Sequence, residues 1–260
     1  MRTDRESPAP RFIAGAALAL ALLAPGARAQ TMTFVMDPFP PFTYEEGGKA
    51  AGPMSDTIRA VCDELKWQCA LEVYPWRRAL KMAEEGLVDG IYAIADIPER
   101  RQFFYVTPTI IESAYAVFAH RSSPLTYTRA SDLDGYTVGA YGPSAASKAA
   151  ETIAQSAPTV KLVIEVDNTT LLRKLSGMRY GERGVAVANV DVGRQLIRQE
   201  SIPDLKVAGV VSKIEYCIGL SRKKVSERQA EEFTATLRRL MKAGKVKQIA
   251  DKYGVVSPAH

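Results

Sequence analysis

Histidine is almost missing from this chain. His120 and His260 are the only two in 260 residues. That leaves too few imidazoles for a His-rich metal site and weighs against a His-based catalytic triad. Cysteine is nearly as scarce: Cys62, Cys69 and Cys217 are all there is, far from the density of a disulfide-stapled miniprotein. No G-x-S-x-G, H-E-x-x-H, P-loop or G-x-G-x-x-G occurs, so the usual hydrolase, zinc-protease and nucleotide signatures are absent. Charge of one sign is lacking too. The chain has 34 Lys+Arg against 29 Asp+Glu, a net +5, with no basic cluster of the kind that nucleic acid requires. There is no fixed-period repeat and no low-complexity stretch. After the first 29 residues no run is apolar enough to span a membrane.

Those first 29 residues have their own pattern. Arg2, Arg5 and Arg11 precede an Ala-rich apolar run from Phe12 to Ala24, and Ala27-Arg28-Ala29 is a small-x-small site. This order predicts a secretory signal peptide cleaved after Ala29. The run is shorter than the ~20 residues a spanning helix needs, and no Cys stands at the cleavage point to take a lipid. Two of the five net charges go with this segment, leaving +3 on residues 30–260. Export exposes the chain to an oxidising compartment, so the neighbours Cys62 and Cys69 are expected to pair. Cys217, in the apolar run Tyr216-Cys217-Ile218, is expected to be a buried thiol.

The remainder alternates strand and helix. Apolar runs predict strands at Thr33–Met36, Cys69–Val73, Asp89–Ala95 and Ala114–Phe118. Further strands are expected at Thr137–Tyr141, Lys161–Val166, Val185–Ala188, Leu205–Ala208 and Tyr216–Leu220. Ile58, Val61, Cys62 and Leu65 share a helix face, which Ser55 is placed to cap. Pro75 is suited to open a second helix, which Gly86 stops. Ser144 precedes an Ala-rich helix at 145–154, Asn168 is expected to cap a helix ending at Ser176, and Asp191–Arg198 forms another. Phe233, Leu237, Leu240 and Met241 align on a C-terminal helix, with a shorter one at Val246–Tyr253. Asp96–Arg101 reads as a polar turn. Two successive α/β units without a linker predict an α/β protein of two lobes.

Several segments, taken in order, resemble the bacterial extracellular solute-binding proteins of the polar amino acid type, family 3. They are Asp37-Pro38-Phe39-Pro40-Pro41-Phe42, Gly52 to Asp56, and Asp89-Gly90 followed by Ile97-Pro98-Glu99-Arg100. Val138-Gly139 and Leu240-Met241-Lys242-Ala243-Gly244 with Lys252-Tyr253-Gly254 complete the set. The Cys62/Cys69 spacing matches a disulfide of some basic-amino-acid receptors in the family. The resemblance implies a type II periplasmic-binding fold: two lobes joined by two hinge strands, with ligand in the cleft. Lobe 1 is then residues 30–118 plus 219–260 and lobe 2 residues 119–218, with hinge runs near Phe118–His120 and Cys217–Gly219. It further implies a periplasmic, monomeric, non-enzymatic receptor without cofactor or metal. Its partners are a small carboxylate-bearing solute and the permease of an ABC importer. A dehydratase of the cyclohexadienyl type, drawing on Glu99, Asp37 or Asp191, and a ligand-sensing subunit for a membrane receptor are the alternatives.

Arg100 leads the site candidates. The family's Arg at this motif position pairs with the ligand carboxylate, and a guanidinium fork matches two oxygens. Phe39 is expected to form an apolar wall, while Trp76 reads equally as a wall or as a core residue. Arg78 could meet an anionic ligand or an acidic neighbour within lobe 1, the neighbour being favoured, and Arg101 is expected to be a surface residue. Ser144, at a helix start, offers an anion site or a plain cap. Gly142 permits close backbone approach, and Tyr141 is a weaker candidate. Ala93 and Ala95 occupy positions where the family uses hydroxyl or backbone contacts. The acid expected to hold a ligand ammonium aligns with Asn189, which cannot supply charge. Asp191 or Asp37 would have to substitute, or the ligand would lack that ammonium.

Overall fold

The computed structural model describes residues 1–3 and 30–258. The predicted leader, beyond its first three residues, lies outside the described residues, as does His260. β1 (Thr31–Met36) enters a proline-rich loop and a hairpin, β2 (Tyr44–Glu46) and β3 (Lys49–Ala51). There follow α1 (Pro53–Leu65), β4 (Gln68–Val73), α2 (Trp76–Glu85), β5 (Gly90–Ala95), the single turn α3 (Pro98–Arg101), β6 (Phe104–Val106) and β7 (Ile111–His120). The chain continues through β8 (Thr137–Tyr141), α4 (Ala145–Ser156), β9 (Lys161–Glu165), α5 (Asn168–Ser176), β10 (Gly184–Asn189) and α6 (Val190–Gln199). It ends with β11 (Leu205–Ser221), α7 (Glu227–Lys242) and α8 (Lys245–Lys252).

One mixed sheet runs β4-β1-β5-β11-β7-β10-β8-β9, with β6 against β11. β4, β1 and β5 are mutually parallel, as are β10, β8 and β9. β11 and β7 are antiparallel and link the two groups. Buried on both faces, β5 and β10 read as the near-continuous apolar runs Gly90–Ala95 and Gly184–Asn189. Helices flank the sheet, as expected of an α/β protein. Phe34, Ile58, Phe233 and Leu237 belong to one core cluster, Val117, Val138, Ile153 and Val187 to another, and Val35, Ala79, Ile91 and Phe104 to a third. Cys62 and Cys69 form a disulfide tying α1 to β4, and Cys217 is a buried free thiol whose pKa burial pushes up to about 12.

Several expectations need correction. Ser55 does not cap α1: Pro53 occupies the first turn behind Gly52 at φ 101, and the Ser55 hydroxyl donates back to the Ala51 carbonyl at 3.0 Å. Asp167, not Asn168, caps α5, its Oδ1 accepting from the Thr170 N–H at 2.6 Å. Asp96–Arg101 contains the helical turn α3. The two strands expected at 205–208 and 216–220 are one 17-residue strand, β11. Its middle stays paired to β7 although Val210, Ser212, Lys213 and Glu215 are exposed, so no burial pattern announced it. Among the described residues Arg78 has no acidic partner; its guanidinium stacks 4.4 Å from the Tyr74 ring centroid.

Candidate functional site

The C-terminal ends of β1, β5, β8 and β10 and the N-terminal ends of α2, α4 and α5 meet at one cavity, enclosing about 590 Å³ of empty space including its open mouth. Carboxyl ends of parallel strands are where α/β proteins hold ligands, because loop length varies there and helix dipoles point inward. Eight of the predicted site residues line this cavity: Asp37, Phe39, Trp76, Ala95, Arg100, Tyr141, Ser144 and Asn189; Gly142, expected to permit close backbone approach, does not. Tyr92, Ala93, Tyr115, Ala145, Ala146, Asn168 and Tyr216 complete the wall. Sequence reasoning missed the three tyrosines because they sit in apolar strands and read as core.

Arg100 is the cation of the cavity. Its side chain is 12% exposed, and Nη1 donates to Glu84 Oε1 at 3.1 Å. The guanidinium lies over the Trp76 indole, 5.3 Å from its centroid, a contact favourable to a cation. Burial pulls its pKa down, and Glu84 opposes that; a guanidinium stays charged regardless. The salt bridge and the ring together fix the fork in place. Arg101 is more exposed and pairs with Asp96, as expected.

Trp76 lines the cavity and also crosses it. Its indole N–H donates to the Pro143 carbonyl at 2.8 Å, while its backbone N–H donates to Asp37 Oδ1 at 3.1 Å. Next to it, Arg77 Nη2 donates to the Gly142 carbonyl at 2.8 Å. The start of α2 is therefore bonded to the loop before α4 at two successive carbonyls. Burial, with help from the nearby charge of Asp167 and against the Trp76 N–H, raises the Asp37 pKa from 3.8 to about 7. Phe39 packs edge-on to Tyr216 at 5.5 Å and against Phe42 at 5.7 Å.

Ser144 is the N-cap of α4. Its hydroxyl donates to the Tyr141 carbonyl at 2.5 Å and accepts from the N–H groups of Ala146 and Ser147. With the hydroxyl so engaged, α4 offers a ligand the positive end of its dipole, where Ala145 and Ala146 form the wall. Ala93 has φ 58 at a break in the β5–β11 register. An L-residue there costs on the order of 1–3 kcal/mol, and the sequence carried no sign of it.

Asn189 is 2% exposed and saturated. Its Oδ1 accepts from the N–H groups of Asp191 and Val192 at 2.9 and 3.0 Å, capping α6. Its Nδ2 donates to Ser113 Oγ at 2.9 Å and to the Tyr216 hydroxyl at 3.0 Å. Asp191, the suggested stand-in acid, does not line the cavity; its Oδ2 accepts from Ser113 Oγ at 2.6 Å. Among the described residues no cluster of three or more His, Cys, Asp or Glu is placed to hold a metal, and no helix is long and apolar enough to cross a membrane.

The fold is shared with solved structures of low sequence identity. A histidine kinase sensor domain similar to periplasmic binding proteins superposes with a TM-score of 0.78 at 23% identity, over 89% of this chain and 99% of that one. An ancestral arginine-binding protein bound to arginine gives 0.75 at 19%, over 86% and 97%. The amino acid ABC transporter substrate-binding protein AbpA from Streptococcus pneumoniae, bound to L-arginine, gives 0.70 at 21%, over 86% and 94%. No curated protein matches the chain in sequence. The family model described as bacterial extracellular solute-binding proteins, family 3, matches residues 32–256. With the strand order, the cleft at the strand ends and that match across nearly all of the described chain, the protein belongs to the bacterial extracellular solute-binding proteins of family 3.

Proposed function

We propose that this protein is the periplasmic receptor of an ABC importer, exported by its N-terminal signal peptide. It closes on a small carboxylate-bearing solute and presents the loaded form to an inner-membrane permease. Residues 30–118 plus 219–260 and residues 119–218 form its two lobes, to within a few residues. The chain crosses between them along β7 and β11. On this reading the protein acts as a monomer and as a receptor, not as a catalyst.

The observation that carries this reading is the placement of Arg100. A guanidinium held by Glu84 and Trp76 lines the same small cavity as the N-terminus of α4. A cation and a helix dipole in one enclosed space favour an anion, and a planar fork favours a carboxylate. The Trp76–Pro143 and Arg77–Gly142 hydrogen bonds join the proposed lobes across the cleft, as a closed receptor requires.

The test is a thermal-shift and calorimetric screen of the purified protein against amino acids, oxo acids and plain carboxylates. A true ligand raises the melting point through mass action. Arg100→Ala is expected to weaken it by at least about 100-fold, as loss of one partner of a desolvated charge pair does. Binding that survives Arg100→Ala unchanged, or recovery of the ligand chemically altered, refutes the reading. Co-purification with a permease and ATPase, rather than a histidine kinase, separates importer from sensor.

A further inference from the structure

Resting on the reading that the lobes close on a carboxylate, we propose that Trp76 is a positioning residue that ties closure of the cleft to the aim of the Arg100 fork. From sequence Trp76 reads as a wall or as a core residue; three contacts give it a further role. Its backbone N–H donates to Asp37 Oδ1 at 3.1 Å, which with Pro75 before it fixes where the side chain starts. Its indole N–H donates to the Pro143 carbonyl at 2.8 Å. Its ring lies beneath the Arg100 guanidinium, 5.3 Å from centroid to Cζ. On a fixed backbone a tryptophan turns only about its two side-chain torsions. The N–H and the ring face belong to one rigid plane. A bond that sets the direction of the N–H therefore sets the plane of the ring under Arg100.

Trp76 and Arg100 belong to the proposed lobe 1 and Pro143 to lobe 2. Pro143 also directly precedes Ser144, the N-cap of α4. One indole thus meets both parts of the anion site: the cation of one lobe and, through the adjoining carbonyl, the helix end of the other. Glu84, which accepts from Arg100 Nη1 at 3.1 Å, lies on α2 in lobe 1, so closure does not make or break that pair. A hydrogen bond through one nitrogen leaves the guanidinium free to turn about it, and an aromatic face against the cation removes that turn. The fork is held by Glu84 alone while the lobes are apart. It gains its second restraint when Pro143 takes the indole N–H. Arg77 provides the contrast: it bonds the Gly142 carbonyl at 2.8 Å but does not line the cavity, so it can fasten the lobes without aiming Arg100.

The experiment measures on- and off-rates by stopped flow, with whichever of L-arginine, L-glutamate, pyruvate and benzoate binds wild type most tightly as the probe. Trp76→Phe keeps a ring for the guanidinium and removes the N–H. It is expected to raise the off-rate about 20-fold: about fivefold for one net hydrogen bond and about fourfold more for the loosened fork, within the coupling range of residues in contact. The on-rate should stay within about twofold, because Glu84 holds the fork in the open form. In an Arg100→Lys background, which keeps the charge and loses the planar fork, Trp76→Phe should fall to the fivefold effect, while Arg77→Ala keeps the same effect in both backgrounds. Trp76 is one of two tryptophans, so in Trp67→Phe its emission alone is seen, and it should shift when the probe is added; this measurement decides if Trp76→Phe does not fold. Equal effects of Trp76→Phe in the two backgrounds make Trp76 a fastener only; this overturns the proposal and leaves the carboxylate reading standing. An on-rate that falls as much as the off-rate rises, or an emission unmoved by saturating probe, overturns it as well. No binding of any of the four probes, or binding untouched by Arg100→Ala, overturns both.

Discussion

Replacing Asp37 by Asn should stabilise the ligand-free protein at alkaline pH and leave it nearly unchanged in acid. Asp37 accepts one hydrogen bond, from the Trp76 N–H at 3.1 Å, and Asn accepts it equally well. What differs is charge. Burial first, and the nearby Asp167 second, raise the carboxyl from 3.8 to about 7. The folded protein therefore holds this proton more tightly than the unfolded chain does. The group costs nothing while both states are protonated. Its cost grows as pH rises from about 4 and is complete just above 7. Taken whole, a change of that size is worth about 4 kcal/mol at 1.36 kcal/mol for each tenfold in proton affinity. Asp37 is only partly buried, so water screens some of this, and ~2 kcal/mol is the working figure. For a chain of this size that is about 4–8 °C in melting temperature. Thermal unfolding of wild type and Asp37→Asn at pH 4 and pH 8 is the assay. The Asn variant should lead by several degrees at pH 8 and by little at pH 4. Equal differences at the two pH values, or no gain at pH 8, would show that Asp37 is not held under desolvation strain.

Other predictions follow from single contacts. Arg77→Ala removes the hydrogen bond to the Gly142 carbonyl without touching the cavity wall. It should raise the ligand off-rate about fivefold, the equivalent of one net hydrogen bond of ~1 kcal/mol, as read by stopped-flow; an unchanged off-rate removes its role in closure. Reducing the Cys62–Cys69 disulfide, which spans a sequence separation of 7, should cost ~2 kcal/mol. That is about 4–8 °C on melting with and without dithiothreitol. In Gly193→Ala the new Cβ would lie 2.3 Å from Phe118 Cζ on the face α6 packs against β7. Overpacking of that kind costs about 1–3 kcal/mol and should appear as a lower urea midpoint with the m-value unchanged.

Much of the fold was legible because burial and periodicity coincide in it. β8 was expected at Thr137–Tyr141 and lies there. Phe233, Leu237 and Met241 recur at helical spacing and are buried together in α7. What failed had a local cause. Asp167 and Asn168 are both good caps, and only the backbone decides which one leaves the helix. β11 was broken in two because its paired middle is exposed, and hydrogen bonding without burial leaves no hydrophobic pattern. The hairpin of β2 and β3 showed only Gly47-Gly48. For the candidate site, Arg100 and Phe39 were reached through family resemblance, whereas Ser144 was visible as a helix start. The tyrosines of the cavity were invisible for a different reason. A buried Tyr in a strand looks like core until three of them, from β5, β7 and β11, line one cavity.

The position of β11 also sets the order in which the molecule can be completed. β8, α4, β9, α5 and β10 are consecutive, and their sheet neighbours close within that stretch and β7. β1 and β5 wait much longer: Phe34 finds its stacking partner in Phe233, 5.6 Å away between ring centroids, and β5 finds its outer neighbour in the last strand. A chain emerging N-terminus first can assemble its middle while both ends stay open. The half that carries Arg100 and Asp37 is finished only when α7 arrives. Loss of the chain from α7 onward therefore reaches the start of the chain first, and such a truncated product should retain the middle of the sheet while the packing around Phe34 stays incomplete.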